Sequence, residues 1–337
     1  MEDLANKIKN SINKFELDLS NKTVLTEAAT GNYVVTPIIA AVAGAKKVFA
    51  FTKESKYGTV EEVKSQTYRL AKYLNVENKI EVVTNLNDIS LDKVDILTNT
   101  GFLRPIDKYI IDKLNSNCTV PLMWETWEFR DSDLDIEACK SRGIKVYGTN
   151  EDDKRLKTKE YIGYMVLKFL LEFKHTPLSS TILVLGCDYF TKYVEKVLRQ
   201  NGYKYRIINE YNQKIDTKEY NAIVLLEHHK RDLLIGESAF IEIGNISKDK
   251  DVIHICGEVD FTKAKFNYIP INPAPFGYMS YTADYMGIGV VIDLHTAGLK
   301  VAEGMIEANS MNLNENKYKE YMERNYPAMA FKDKRYW

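Results

Sequence analysis

The sequence predicts an α/β protein made of two Rossmann-like, doubly wound domains with a cleft between them. Along the chain, short strand-like runs alternate with amphipathic helices, which is typical of parallel sheets covered by helices on both faces. The length of 337 residues exceeds what one ordinary core holds, so two domains are expected. A hydrophobic fraction of 45% and a charged fraction of 28% are those of a globular protein.

The first series of elements occupies residues 22–148. We predict strands over residues 22–28, 47–52, 80–84, 94–98 and 120–124, with helices over 38–43 and 59–74 between them. Thr36 and Pro37 are expected to serve as the N-cap and the first residue of the earlier helix. Residues 133–148 are expected to form a helix that Gly143 closes, followed by a further strand.

A second series of strands follows a long amphipathic helix over residues 159–173. Its strands are predicted over residues 181–185, 205–208, 222–226, 252–255 and 268–271. We therefore expect one domain over residues 1–150, a second over 151–290, and a helix that bridges them. Residues 291–308 look strand-like and then helical, and about 291–337 are expected to return to the first domain.

Charge and cysteine content exclude several classes of function. Lys and Arg number 46 against 47 for Asp and Glu, so no overall field attracts nucleic acid or anionic lipid. Neither a signal peptide nor an apolar run of about 20 residues is present, so a cytoplasmic protein without a membrane span is expected. The four cysteines share no zinc or redox spacing, and no metal site is predicted. Small molecules or proteins are the expected partners.

Three motifs occur in a fixed order between about residues 90 and 310. The first is DLDIEAC at 133–139, with RGIKV at 142–146 and GTN at 148–150. The second is a strand, a glycine, a helix and a strand that begin at Thr181. The third is HTAG at 295–298, which precedes a helix over 301–308. Together they resemble the D-isomer-specific 2-hydroxyacid dehydrogenase superfamily, which includes formate and glycerate dehydrogenases.

The resemblance implies a substrate domain built from the N-terminal part and the C-terminal helix, with a nucleotide domain inserted between them. It further implies an active site in the cleft, NAD or NADP as the cofactor, and a homodimer formed through the nucleotide domain. His295 matches the catalytic histidine of the family, and a neutral imidazole can act as acid or base near pH 7. A buried structural histidine is the alternative.

The sequence departs from the family at the phosphate-binding turn. A dinucleotide site uses G-x-G-x-x-G, and residues 186–191 keep only the first glycine, Gly186. Asp188 either places a carboxylate where the pyrophosphate would lie or caps the following helix. Glu210, about 24 residues after Gly186, is either a ribose contact or an exposed acid at a strand end.

A second departure concerns the arginine that binds the substrate in the family. Cys256 occupies that position and Gly257 follows it, and both are predicted cofactor contacts together with Gly186, Asp188 and Glu210. The glutamate that orients the histidine in the family is not found near residues 271–277. Arg130 is a candidate replacement because a guanidinium matches a carboxylate or phosphate. The alternative is a surface pair with Glu128 or Asp131.

Other polar residues follow predicted strands, where ligands of doubly wound sheets bind. Glu27 and Asn32 follow the first strand, and Asn99 and Arg104 follow the fourth, so these four are candidates for the substrate pocket. Capping or turn formation is the alternative for each of them.

The predicted function is that of an NAD(P)-dependent oxidoreductase acting on a small anionic metabolite. In this hypothesis His295 is the acid or base, and Arg104 or Arg130 binds the anionic group. The alternative is a divergent member that has lost dinucleotide binding and is a different small-molecule enzyme or a non-catalytic binding protein. His228 and His229 would lie on the cofactor side, but neighbours on a strand point apart, so a shared metal is not expected.

Overall fold

The computed structural model describes residues 1–332, apart from the side chains of residues 188, 189 and 283. It confirms the predicted fold class, because the chain is a mixture of helices and largely parallel sheets. Two compact units are present: unit 1 comprises residues 1–157 together with the chain from residue 287 onward, and unit 2 comprises residues 158–286. The sequence-based limits were 150/151 and 290/291.

The strands within the described residues are, in chain order, β1 Thr23–Glu27, β2 Lys47–Phe51, β3 Ile80–Val83, β4 Ile96–Leu97, β5 Thr119–Pro121, β6 Lys145–Thr149, β7 Thr181–Gly186, β8 Lys204–Ile208, β9 Ala222–Leu226, β10 Leu233–Gly236, β11 Ile241–Glu242, β12 Asp251–Cys256, β13 Glu258–Val259, β14 Asn267–Ile269 and β15 Ala328–Met329. The α-helices are α1 Glu2–Phe15, α2 Val35–Val42, α3 Val60–Tyr73, α4 Lys108–Lys113, α5 Ile136–Ser141, α6 Thr158–Glu172, α7 Asp188–Gln200, α8 Ile288–Ser310 and α9 Glu315–Asn325.

Unit 1 contains a seven-stranded sheet in the order β15-β6-β5-β4-β1-β2-β3. Its strands pair in parallel except for β15, which pairs antiparallel with β6. Because β1, β4 and β5 run in the same direction, their carboxyl ends lie at one edge of the sheet. The loops that follow these three strands carry the polar residues singled out in the sequence.

Local signals set some helix boundaries well. Thr59 caps α3, and its side chain and that of Glu62 form a reciprocal capping box, as the predicted start at residue 59 requires. The predicted N-cap at Thr36 is wrong: α2 begins at Val35, directly after a 3-10 helix over Gly31–Val34. Thr36 therefore lies inside the helix, and its hydroxyl bonds to another element.

The strand-like beginning predicted for residues 291–308 is also wrong. Helix α8 runs without interruption over 23 residues. Its β-branched residues Val290, Val291 and Ile292 are at most 4% exposed. Burial against the core of unit 1 outweighs their weak helix propensity. No helix in the described part of the chain is both long and apolar enough to cross a membrane.

Unit 2 contains a five-stranded parallel sheet in the order β14-β12-β9-β7-β8. Helices α6 and α7 pack on one face through a core that includes Phe169 and Val194. Helices were predicted on both faces of this sheet, but among the described residues the other face carries no α-helix. A small sheet in the order β11-β10-β13 packs there, with Leu234 and Phe240 in its core. The connections over 209–221 and 227–250 therefore contain no α-helix.

Candidate functional site

The carboxyl edge of the sheet in unit 1 carries polar side chains that are almost fully buried. Glu27 is the last residue of β1 and is 7% exposed, and Asn99 follows β4 and has no exposed surface. β1 and β4 are adjacent parallel strands, so these two predicted residues lie at the same edge. Buried polar groups require hydrogen-bond partners or a ligand, so this edge is a candidate binding site.

The Glu27 carboxylate holds the loop that follows β4. Its Oε2 atom accepts a hydrogen bond of 2.9 Å from the backbone N–H of Phe102, and its own backbone N–H donates to Thr100 Oγ1 at 3.3 Å. Burial raises the pKa of Glu27, while the bond from Phe102 and the charge of Arg104 act in the opposite direction. Glu27 thus shapes the loop over 98–104.

The two arginines predicted to bind an anion both contact Asp133. Arg104 Nη1 donates to Asp133 Oδ2 at 3.0 Å, and Arg130 Nη1 lies 3.9 Å from the same oxygen. Cζ of Arg104 also lies 4.9 Å from the ring centroid of Trp124. The sequence analysis gave a surface pair with Glu128 or Asp131 as the alternative for Arg130. In the structure Arg130 also forms an ion pair with Asp133.

Three nitrogen atoms at this edge are buried and have no hydrogen-bond acceptor among the residues described. They are Asn99 Nδ2, Arg104 Nε and Trp124 Nε1. The amide of Asn99 is oriented by its oxygen, which accepts the backbone N–H of Met123 at 3.0 Å. A buried donor without an acceptor costs about 1–3 kcal/mol, and an anion bound here would supply acceptors. Trp124 was not among the predicted site residues, because an indole in a loop gives no sequence signal of this kind.

His295 lies in α8 and is nearly buried. Its Nδ1 atom is 2.6 Å from Thr36 Oγ1, and its ring centroid is 5.9 Å from that of Tyr33. Burial lowers the pKa of His295 to about 4, so the imidazole is neutral at pH 7. The predicted residue Asn32 is half-buried beside Tyr33, in the 3-10 helix that leads into α2.

Gly298 explains how α8 reaches this edge. A Cβ atom at residue 298 would lie 2.6 Å from Met123 Sδ, closer than packing allows. The glycine of the HTAG motif therefore lets α8 approach Met123, whose backbone N–H holds Asn99. His295 is one turn earlier in the same helix, so one helix carries both the histidine and the contact with the strand end.

In unit 2, the turn between β7 and α7 consists of Cys187 alone. A Cβ atom at Gly186 would lie 2.9 Å from the backbone of Leu226, so this glycine is needed for the close pairing of β7 with β9. The first turn of α7 begins at this edge, where the backbone N–H of Phe190 interacts with the Cys187 thiol. The predicted contact through the Asp188 side chain lies outside the described residues.

The remaining predicted cofactor contacts have structural partners. Glu210 is exposed and forms an ion pair of 2.9 Å with Lys230, as the surface alternative required. Cys256 is 2% exposed within the core of unit 2, and burial raises the pKa of its thiol. Gly257 has a φ of 132°, which favours glycine, and its carbonyl lies 3.0 Å from His254 Nε2.

A cavity of about 400 Å³ lies beside the residues that follow β12 and β14. Gly257, Val259, Tyr268, Pro273 and Phe276 are among the residues that line it. The sequence analysis singled out Gly257 alone of these. The loops that complete the cavity come together only because β12 and β14 are neighbours in the sheet.

A cluster of one thiol and two imidazoles lies at the edge formed by β7 and β9. The expectation that His228 and His229 point apart was wrong, because β9 ends at Leu226 and both histidines lie in a bend. Their ring centroids are 4.1 Å apart, and Cys187 Sγ is 3.4 Å from His228 Nδ1.

Comparisons with known proteins match the fold rather than the sequence. No family model and no curated relative matches the chain. The A subunit of dipicolinate synthase from Bacillus halodurans is similar in structure, with 11% identity, a TM-score of 0.51, and coverage of 86% of this chain and 98% of that one. The corresponding dipicolinate synthase chain from Bacillus subtilis gives 10% identity, a TM-score of 0.54, and coverage of 88% and 98%.

A D-lactate dehydrogenase from Treponema pallidum matches at 10% identity and a TM-score of 0.48, over 85% of this chain and 97% of that one. The two similarities above a TM-score of 0.5 show the fold of the chain. They confirm the predicted two-domain, Rossmann-type α/β fold.

Proposed function

We propose that this protein is a divergent relative of the D-isomer-specific 2-hydroxyacid dehydrogenases, an NAD(P)-dependent oxidoreductase that acts on a small anionic metabolite. Fold does not fix function, so the proposal depends on the site. The observation that carries it is the group of buried donors on Asn99, Arg104 and Trp124, which have no acceptor among the described residues.

In this proposal the anionic group of the metabolite binds at the carboxyl edge of unit 1. Arg104 keeps its bond to Asp133 through Nη1 and offers Nε to the ligand. The Trp124 indole N–H and the Asn99 amide N–H supply two further donors. Hydrogen bonds to an ionised group are about twice as strong as neutral ones, so an anionic group such as a carboxylate would suit these donors.

His295 is the proposed acid or base. Nδ1 faces the Thr36 hydroxyl, which leaves Nε2 to exchange a proton with the metabolite. At pH 7 the imidazole is neutral and can accept the hydroxyl proton of a 2-hydroxy acid, and with a pKa of about 4 it does so as a weak base. The Thr36 hydroxyl stabilises a protonated His295 less than a carboxylate would. His295 is therefore expected to act as a base rather than as an acid.

Unit 2 offers a dinucleotide two features, the N-terminal end of α7 and a cavity. The N–H groups of the first turn of α7 suit a pyrophosphate, and the cavity beside Gly257 and Phe276 has room for a ring. The nicotinamide, when bound, supplies or accepts the hydride. The alternative, loss of dinucleotide binding, is favoured by the one-residue turn at Cys187 and by the packing of Gly186 on Leu226.

The test is binding of small carboxylates and nucleotides to the full chain by calorimetry. The panel contains 2-keto and 2-hydroxy acids, NADH, NADPH, and dipicolinate because two similar structures carry that name. We expect carboxylate binding that weakens at least tenfold in Arg104→Gln. The matched control is Arg69→Gln, which removes the same charge from the exposed surface of α3.

Two outcomes would overturn the proposal. One is the absence of any nucleotide binding at millimolar concentration, which would show that the protein has lost dinucleotide binding. The other is equal carboxylate binding by wild type and Arg104→Gln, which would remove the anion site. Consumption of NADH with one acid of the panel would identify the reaction.

A further inference from the structure

Unit 2 holds a set of metal-ligating side chains that the proposed oxidoreductase function does not use. Cys187, His228 and His229 each offer one ligand atom, and these three atoms lie within 4.8 Å of one another. Cys187 Sγ lies 3.4 Å from His228 Nδ1 and 3.8 Å from His228 Nε2. Ligands around a tetrahedral ion are separated by somewhat less than 4 Å, so small side-chain rotations bring all three around one cation.

The fold creates this cluster from two distant segments of the chain. Cys187 and His228 are 41 residues apart in sequence. They meet because β7 pairs with β9 in parallel register, with Gly186 beside Leu226. The short turn at Cys187 then places its thiol beside the bend that carries the histidines.

The bend is fixed by a buried carboxylate beneath it. Glu227 has no exposed surface, and its Oε1 atom accepts the backbone N–H groups of His229 and Lys230 at 2.8 and 2.9 Å. Its Oε2 atom accepts the hydroxyl of Tyr211 at 2.7 Å. Glu227 thus holds the backbone that carries both imidazoles and adds negative charge near a cation.

The His228 ring is held from the other side as well. Its centroid lies 4.5 Å from that of Phe190 in α7. A ligand ring supported by packing and by a hydrogen-bonded backbone loses little conformational entropy on binding a metal. His229 is exposed, so a cation can reach the cluster from solvent.

We propose that Cys187, His228 and His229 bind a borderline-soft divalent cation of the Zn²⁺ type. One thiolate and two imidazoles are ligands that Zn²⁺ prefers, whereas Mg²⁺ and Ca²⁺ require oxygen ligands. Three protein ligands leave the fourth tetrahedral position for water or an exogenous ligand, as in zinc sites that exchange a ligand. The site does not depend on the proposed oxidoreductase function.

The test is titration of the full chain, without a polyhistidine tag and stripped of metal, with Co²⁺ and then Zn²⁺. One equivalent of Co²⁺ should give a thiolate-to-cobalt charge-transfer band and the strong visible bands of a tetrahedral site. One equivalent of Zn²⁺ should remove both. In Cys187→Ser the charge-transfer band should be lost, and in His229→Ala the affinity for Zn²⁺ should fall at least tenfold.

Two variants serve as controls. Lys230→Ala alters the residue next to His229 without removing a ligand, and Cys139→Ser removes a buried thiol of unit 1. Both should bind Co²⁺ like the wild type. His229→Ala changes an exposed loop residue and should fold even if Cys187→Ser does not. Absence of one-to-one binding by the wild type, or unchanged binding by His229→Ala, would overturn the proposal.

Discussion

The hydroxyl oxygen of Thr36 lies 2.6 Å from Nδ1 of His295 and links helix α2 to helix α8 within unit 1. The resemblance to the dehydrogenases implied a glutamate in the role of orienting this histidine. Here a neutral hydroxyl in the first turn of the buried helix α2 contacts the ring, so the ring orientation is fixed without a neighbouring negative charge. The stability of unit 1 depends on this pair because both groups are buried.

Removal of the Thr36 hydroxyl should destabilise unit 1. Thr36→Val keeps the shape of the side chain but leaves Nδ1 of a buried histidine without its partner, which costs about 1–3 kcal/mol. Urea unfolding followed by circular dichroism measures the change in the free energy of unfolding. Thr36→Ser retains a hydroxyl and should recover at least half of the loss. An equal loss in both variants would show that the methyl group, and not the hydrogen bond, matters.

The stability of unit 1 should fall as the pH is lowered from about 6.5 to about 4. The pKa of His295 is about 4 in the folded chain and near 6.5 when exposed. Within this window the unfolded chain binds a proton that the folded chain does not, so the contribution is complete above pH 6.5 and lost on acidification. The difference between these two pKa values corresponds to about 3 kcal/mol.

The measurement is urea unfolding of wild type and His295→Asn at several pH values between 4 and 7. The difference between the two proteins isolates His295, because Glu27 and His228 titrate in both. We expect that difference to shrink by about 3 kcal/mol between pH 7 and pH 4. A difference independent of pH would show that His295 is accessible to protons in the folded chain.

Two glycines of α8 should respond in opposite ways to alanine. In Gly298→Ala the new Cβ meets Met123 Sδ at 2.6 Å in a fully packed region, and we expect a net loss of about 1–2 kcal/mol from overpacking. A Cβ atom at Gly289 would meet no heavy atom of the described residues within 4 Å, so Gly289→Ala should gain up to about 1 kcal/mol from helix propensity. Thermal unfolding of both variants tests this. Equal effects would contradict the close packing at Met123.

One thiol should react with an aromatic disulfide reagent in the native chain and four in the unfolded chain. Cys187 is partly exposed, whereas Cys118, Cys139 and Cys256 are buried. Burial raises the pKa of Cys187 to about 11, so its reaction at pH 7 should be slow. In the native chain Cys187→Ser should show no reactive thiol, and Zn²⁺ should protect the wild type. Native reaction of two or more thiols would contradict the burial of the others.

The sequence predicted the elements whose signals are local. Alternation of strand and helix, the capping residues of α3 and the glycine after α5 are each decided within a few residues, and the structure has these elements close to the predicted bounds. The start of α2 at Val35 and the helical start of α8 were missed. In both cases burial of apolar side chains in the core of unit 1 outweighs the local preference.

The candidate sites were predicted in part. Ligands bind beyond the carboxyl ends of parallel strands, and this rule selected Glu27, Asn99 and Arg104, which lie at or after strand ends. Trp124 was missed because only the pairing of β4 with β5 shows that its indole lies beside Arg104. The cavity beside Phe276 and the coverage of unit 2 by the small sheet likewise depend on contacts between distant segments.

Composition, hydrophobic periodicity and motif order determined by themselves the α/β class and the resemblance to the dehydrogenases, because these depend on short-range patterns. Only the tertiary structure decided which groups meet. It placed Thr36 against His295, and it brought Cys187 to His228, which is 41 residues away in sequence, and to the adjacent His229. The physical reason is that strand pairing and helix packing bring together side chains whose separation along the chain carries no information about their distance in space.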